Sequence, residues 1–345
     1  MKGSFYFVYL CSKELQMINS VRQTVMSVLN KNNYGYISPS DFNLFAKQAQ
    51  LDLFENYFYS YNYQISKENA RQSGTGYADI TKGLEEVIDT FSVTLPLLRE
   101  GSTTFPESLY FLPSLTTTNN DYYIINKNLV YNKVLISNAS TTLTNGGGTL
   151  VADTTQDFIA SGVQVGDIAS TVTNGVTYNT IVSSVVSSTQ LLVRPNAGGV
   201  LVWNAIAKNY YIYAGRNVKE AEKVTHSKIT MLVNSLLTAP NLTYPAYTQN
   251  GDYAEAYPDT INGIGQLVSQ YIRFPFIPKW TFVDLVNGEP AFDEGAADYQ
   301  DFELPNDDEV NLVMKILQYA GMSIREIQAV QFAQSSEQQS EQEEK

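Results

Sequence analysis

Cysteine is nearly missing from this 345-residue chain. Cys11 stands alone, so no disulfide can form within the chain and the fold must be held by packing or by neighbouring subunits. Histidine also occurs once, at His226, and a lone histidine without cysteine partners does not make a zinc site, which needs three or four convergent ligands. With one histidine, a Ser-His-Asp arrangement has little to draw on, and no Gly-x-Ser-x-Gly elbow, Walker loop or dinucleotide fingerprint occurs. Basic residues are scarce: 22 Lys and Arg face 35 Asp and Glu, for a net charge of −13. A chain this acidic does not grip nucleic acid through its phosphates. No run is long and apolar enough to span a membrane as a helix.

Against these shortages stand 24 Tyr and 16 Phe in a chain that is 43% apolar. That apolar share excludes bulk disorder, and the length suffices for two modest cores. Tyrosine combines a large apolar body with a hydroxyl that can stay wet, which suits contact surfaces. Phe5 to Cys11 is an apolar run after Lys2, as in a leader, but Val8-Tyr9-Leu10 lacks the small residues expected before a processed site. Residues 1–16 therefore read as a flexible extension outside the fold.

Helical signals gather at the two ends. From Met17 to Asn30, Ile18, Val21, Val25, Val28 and Leu29 recur at three- and four-residue spacing. Ser38, Pro39 and Asp41 then read as a helix start, with a capping hydroxyl, proline at the first helical position and an acid in the capping-box position. The stripe that follows is Phe42, Phe45, Ala46, Ala49, Leu53, Tyr57 and Tyr61, and a third helix is expected from Gly83 to Phe91. After Gly215, a stripe of Val218, Ala221, Ile229, Leu232, Val233, Leu236 and Leu237 predicts a helix ending at Pro240, and residues 241–305 read as irregular. Asn306 with Asp307, Asp308 and Glu309 predicts a further helix start, Gly321 its stop, and Ser323 with Glu326 the capping box of a final helix. From Ser335 the chain holds only Ser, Gln, Glu and Lys, a disordered polar tail.

The middle is different. Short β-branched runs at 133–136, 149–152, 168–172, 178–186, 191–194, 200–203 and 210–213 alternate with turn signals such as Asn174-Gly175, predicting a small barrel or sandwich. Asp157-Phe158, Gly162-Val163 and Gly166-Asp167 read as one compact turn phrase with Phe158 packed inward. The fold class is thus α+β: a helical core drawn from both chain ends, with an inserted all-β domain. The expected division is 1–16 extension, 17–132 first helical part, 133–215 β domain, 216–334 second helical part and 335–345 tail.

The search for chemistry yields little. Asp293, Glu294, Asp298, Asp301 and Glu303 form an acidic run, but their spacing does not match a calcium loop and a solvated face accounts for them. No catalytic, cofactor-binding or metal-binding residue is assigned, and the expectation is a protein that is not an enzyme.

Two segments carry a resemblance. The front one is Tyr36-Ile37-Ser38-Pro39-Ser40-Asp41-Phe42 with Ala46, Gln48, Ala49, Gln50 and the aromatic run Phe54 to Tyr63. The back one is Phe302-Glu303-Leu304-Pro305 with Lys315 to Gly321 and Ile324-Arg325-Glu326. Both resemble virion structural proteins of crAss-like bacteriophages and, more distantly, the head–tail adaptors of short-tailed phages. The resemblance implies a homo-oligomeric, commonly dodecameric, ring below the portal vertex, in a virion assembled in the host cytoplasm. It further implies the portal protein and adjacent ring or tail proteins as partners, genomic DNA passing without specific binding, no cofactor and no membrane. The expected partner-facing segment is the final helix, through Ser323, Ile324, Arg325, Glu326, Ile327, Val330 and Phe332. Two other readings stand beside this one: a Bacteroidetes surface lipoprotein that binds glycans, suggested by the apolar stretch ending at Cys11, and a phage tail fibre or receptor-binding part, suggested by the β block.

Overall fold

A computed structural model describes residues 17–29, 36–70, 80–100, 108–118, 120–141, 150–173, 175–195, 208–286 and 288–324. Residues 1–16, the 200–203 strand and the 335–345 tail lie outside them. In chain order the described residues form helices α1 (Met17–Leu29), α2 (Pro39–Ala70) and α3 (Ile80–Thr90). Strands β1 (Ser92–Pro96), β2 (Leu109–Phe111), β3 (Tyr122–Tyr131), β4 (Val134–Thr141), β5 (Leu150–Ala152), β6 (Ile168–Thr173), β7 (Val176–Ser187), β8 (Gln190–Pro195), β9 (Lys208–Tyr213) and β10 (Val218–Lys223) follow. After α4 (His226–Val233) come β11 (Ala246–Asn250), β12 (Tyr253–Tyr257), β13 (Leu267–Arg273), β14 (Phe282–Asp284) and β15 (Pro290–Phe292). A 3-10 turn at Asn306–Asp308 leads into α5 (Glu309–Ile324). The class is α+β.

The chain divides into two compact units. The first draws on Met1–Thr90 and Pro275–Lys345, the second on Phe91–Phe274.

In the first unit, α1 buries Met17, Ile18, Val21, Val25 and Leu29, the expected stripe except for Val28, which is exposed. Helix α2 starts as its residues dictate: Ser38 Oγ accepts the Asp41 amide at 3.1 Å and donates to Asp41 Oδ2 at 2.6 Å. It buries Phe42, Ala46, Ala49, Leu53 and Phe54. Helix α5 packs on both α1 and α2. Tyr57 donates to Asp308 near the start of α5, and Tyr319 donates to Asp52 further along it, so α2 and α5 run antiparallel.

The helix stop expected at Gly321 is not used. α5 continues through it to Ile324, so no new helix opens at Ser323. Gly321 is buried, and burial of the surrounding face offsets the roughly 1 kcal/mol that glycine costs inside a helix. Asn306 does not cap α5 either: it begins the 3-10 turn, whose first flanking residue is Pro305.

The second unit is larger than the β domain expected at 133–215. Six strands from that range form an antiparallel sheet in the order β4-β9-β6-β7-β8-β5. Its buried face holds Phe158, Val182, Leu191, Tyr210 and Ile212, and Phe158 packs inward as expected. A second, seven-stranded sheet, β1-β13-β3-β10-β11-β12-β2, takes its strands from both flanks, where helical parts or irregular chain were expected, except that the aromatic and β-branched run Tyr122 to Ile125 reads as a strand and opens β3. Its core contains Leu97, Tyr110, Val130, Tyr247, Ala254 and Leu267. The correction is largest at β10. Val218–Lys223 reads as helix because Val218 and Ala221 open a stripe at helical spacing, but antiparallel pairing with β3 and parallel pairing with β11 hold it extended. Only Ala221 of that strand points into the core.

Asp153 ties β5 to β9. It is 1% exposed; its Oδ1 accepts the Thr155 amide at 2.8 Å and the Thr155 hydroxyl at 2.6 Å, and its Oδ2 accepts the Tyr210 hydroxyl at 2.6 Å. Burial pushes its carboxyl up, but these hydrogen bonds together outweigh burial and hold it below its usual value. A depressed carboxyl contributes stability above its unfolded value of 3.8 and loses it as pH falls through the folded value. The expected result is a melting temperature that falls in wild type below about pH 4 more steeply than in Asp153→Asn. Parallel acid slopes for the two proteins would show that Asp153 carries none of the linkage.

Candidate assembly surfaces

The residues expected to face a partner are divided by the structure. Ser323 and Ile324 occupy the last turn of α5; Arg325, Glu326, Ile327, Val330 and Phe332 lie outside the described residues.

The acidic run has internal work to do. Asp301 accepts the first two amides of α1, Met17 N–H on Oδ2 at 3.0 Å and Ile18 N–H on Oδ1 at 2.8 Å. A carboxylate there satisfies orphan donors and complements the helix dipole. Glu303 Oε2 accepts the Phe276 amide at 2.7 Å, Asp298 pairs with Lys279, and Asp293 Oδ1 accepts the Gly295 amide at 2.9 Å. Asp308 takes the Tyr57 hydroxyl. Among the described residues, no group of three or more His, Cys, Asp and Glu could hold a metal ion. His226 sits exposed at the start of α4, one ring nitrogen 3.3 Å from the Gln249 carbonyl oxygen.

The proline-flanked segment around Phe274 to Trp280 runs extended against its own chain. Gln50 donates to the Phe276 carbonyl at 2.7 Å and Asn43 donates to the Trp280 carbonyl at 3.1 Å. Trp280 is 2% exposed and stacks against the cross-strand pair Phe282 and Phe292, with ring centres 5.7 and 5.8 Å away.

What sequence periodicity missed is where apolar side chains stay outside. In the second unit, Met231, Val233, Leu236, Leu237 and Tyr244 are all exposed, and both leucines are fully so. Val233, Leu236 and Leu237 belonged to the stripe expected to be buried. That stripe assumed a helix reaching Pro240, but α4 ends at Val233, where Asn234 Nδ2 donates to the Thr230 carbonyl at 2.7 Å. Only Ile229 of the helix is buried. Beside this crest lies a groove of about 590 Å³, lined by Val224, Leu232, Leu237, Pro240, Tyr244 and Pro245, with Glu220, Glu222 and Lys228 at its polar side. The available signal was charge: no acid, Lys, Arg or His occurs from Ile229 to Gly251.

The first unit has a second such surface. In the β14–β15 hairpin, Phe282, Val283, Leu285 and Val286 are exposed around the turn closed by Gly288. Exposed apolar patches of this kind mark interaction sites more often than solitary surface leucines do. Among the described residues, no helix is long and apolar enough to cross a membrane.

No protein-family model matches the chain, and no curated protein matches it.

Proposed function

We propose that this chain is a structural protein of a crAss-like phage virion, a homo-oligomeric ring of the head–tail connector that sits below the portal and lines the DNA passage. The observation that carries the proposal is the meeting of the two segments that resemble this group. The front segment lies on α2 and the back segment leads into α5. They are joined directly by the Glu303 amide, which donates to Gln50 Oε1 at 3.2 Å, and through residues beside them by Tyr57 to Asp308 and Tyr319 to Asp52.

In this reading the helices of the first unit are the adaptor-like core, drawn from both chain ends, and the sheet-rich second unit is the insertion. The role is structural, without a catalytic step. The excess of acids suits a passage wall, because like charge keeps DNA moving past without adhesion. The segment from Ser323 through Phe332 is the proposed contact with the portal or an adjacent ring. The exposed crest of the second unit and the hairpin tip of the first are surfaces that assembly would cover.

Electron microscopy of the purified full-length chain tests the reading. Closed rings, commonly dodecameric, are the expected particles. Trimers would turn the assignment to a fibre or receptor-binding part, and particles no larger than one subunit would overturn self-assembly.

A further inference from the structure

We infer that the crest on α4 and the turn after it is a docking surface for a second copy of this chain. The inference rests on the self-assembling part of the reading above and adds the surface through which it occurs.

Three observations converge there. Leu236 and Leu237 are 103% and 97% exposed and Met231 is 75% exposed, so the crest has no cover within its own unit. Val233 and Tyr244 are exposed as well, at 48% and 76%.

Charge selects the occupant. Each copy carries −13, so two copies repel unless they meet where charge is low or balanced. The stretch from Ile229 to Gly251 carries none. Its rim carries both signs, Glu220 and Glu222 beside Lys228, and Lys228 lies 3.5 Å from Glu222, with side chains 58% and 72% exposed. A pair so exposed is weakly held and can exchange partners, Lys228 of one copy meeting Glu222 of the other. The groove supplies the matching shape. Its wall is mixed, with Leu232, Leu237, Pro240 and Tyr244 on one part and Glu220, Glu222, Lys228, Thr238 and Asn241 on the rest, so it offers apolar contact to the crest of a second copy and polar partners to that copy's rim. A bilayer of anionic lipid is disfavoured by Glu220 and Glu222 at the same rim.

The test compares wild type with Leu236→Asp/Leu237→Asp by sedimentation over a range of concentrations, with electron microscopy of the same samples. The expected result is at least a tenfold weaker self-association in the variant at an unchanged melting temperature, because both side chains lie outside the core. Hydrogen exchange at residues 231–244 of wild type should slow as the protein assembles, which checks the surface without any substitution. Wild-type rings that persist undiminished in the variant, with no slowing of exchange at 231–244, overturn the inference and leave the ring reading standing. Wild-type dimers that are not rings, lost in the variant, support the inference and overturn the ring. A wild type that stays monomeric at every concentration overturns both, as does a monomer that binds phosphatidylcholine vesicles through the crest.

Discussion

Replacing Trp280 with alanine is expected to cost the first unit about 3–5 kcal/mol, the range for emptying a buried aromatic site. Trp280 is 2% exposed and joins elements that begin far apart in the chain. Its amide donates to Asn43 Oδ1 on α2 at 2.8 Å, and its indole N–H donates to Asn19 Oδ1 on α1 at 3.2 Å. The Arg22 guanidinium of α1 lies 3.8 Å from the centre of the Trp280 ring. Burial pushes the Arg22 pKa down, so the cation is already partly stripped of water and depends on the ring face beside it. Alanine removes the stacking with Phe282 and Phe292, the indole hydrogen bond and the face under Arg22 together. Trp280→Phe should lose less, because it keeps most of the packing and forfeits the Asn19 contact. Urea denaturation followed by circular dichroism reads the difference, and a loss below about 1 kcal/mol for alanine would show that this site relaxes freely.

The same residue shows what sequence could and could not convey. The rigidity of Phe274 to Trp280 was readable, since proline fixes its own backbone and biases the residue before it. Which surface it meets was not, because Asn19 and Asn43 lie more than two hundred positions away. The helix starts at Met17 and Pro39 were legible because stripe and cap are local. The strands β6 to β8 were legible because β-branched alternation broken by Asn174-Gly175 is a local code too. β10 was not: Val218 and Ala221 fit a helical stripe, and only its neighbours β3 and β11 make it a strand. The acidic run showed composition alone, so Asp301 could not be seen as the cap of α1. At the crest the apolar spacing was read as one helical face, but Val218 and Ala221 lie on β10 and α4 ends at Val233, so Leu236 and Leu237 share no helical face with Ile229; where the helix starts and stops is a tertiary fact.

Gly265→Ala should destabilise the second unit by about 2–5 kcal/mol, through left-handed strain of roughly 1–2 kcal/mol and overpacking of roughly 1–3. Gly265 has φ +67°, and a Cβ there would stand 2.3 Å from Asn179 Oδ1 and 2.9 Å from Ser170 Cβ. Asn179 cannot simply swing aside, because its Oδ1 accepts the Ser170 hydroxyl at 2.6 Å and its Nδ2 donates to the Gly265 carbonyl at 3.2 Å. The loop around it, residues 261–266, is gripped from both sheets. Tyr110 of β2 donates to the Gly263 carbonyl at 3.0 Å, and Tyr213 of β9 donates to that of Ile264 at 2.7 Å. Gln266 donates to the Tyr131 carbonyl at 3.1 Å, and Tyr131 stacks on Tyr213 with ring centres 5.5 Å apart. A shift of the loop therefore disturbs hydrogen bonds to β2, β7 and β9 at once. Gly251→Ala supplies the control. Its φ is +56°, but nothing lies within 4 Å of the added Cβ, so it carries the conformational strain without the clash. The expected order of stability is wild type, then Gly251→Ala, then Gly265→Ala, read from chemical denaturation of the full chain. If the two variants prove equal, the junction is loose enough to absorb a methyl group, and the two sheets are held together mainly by packing elsewhere.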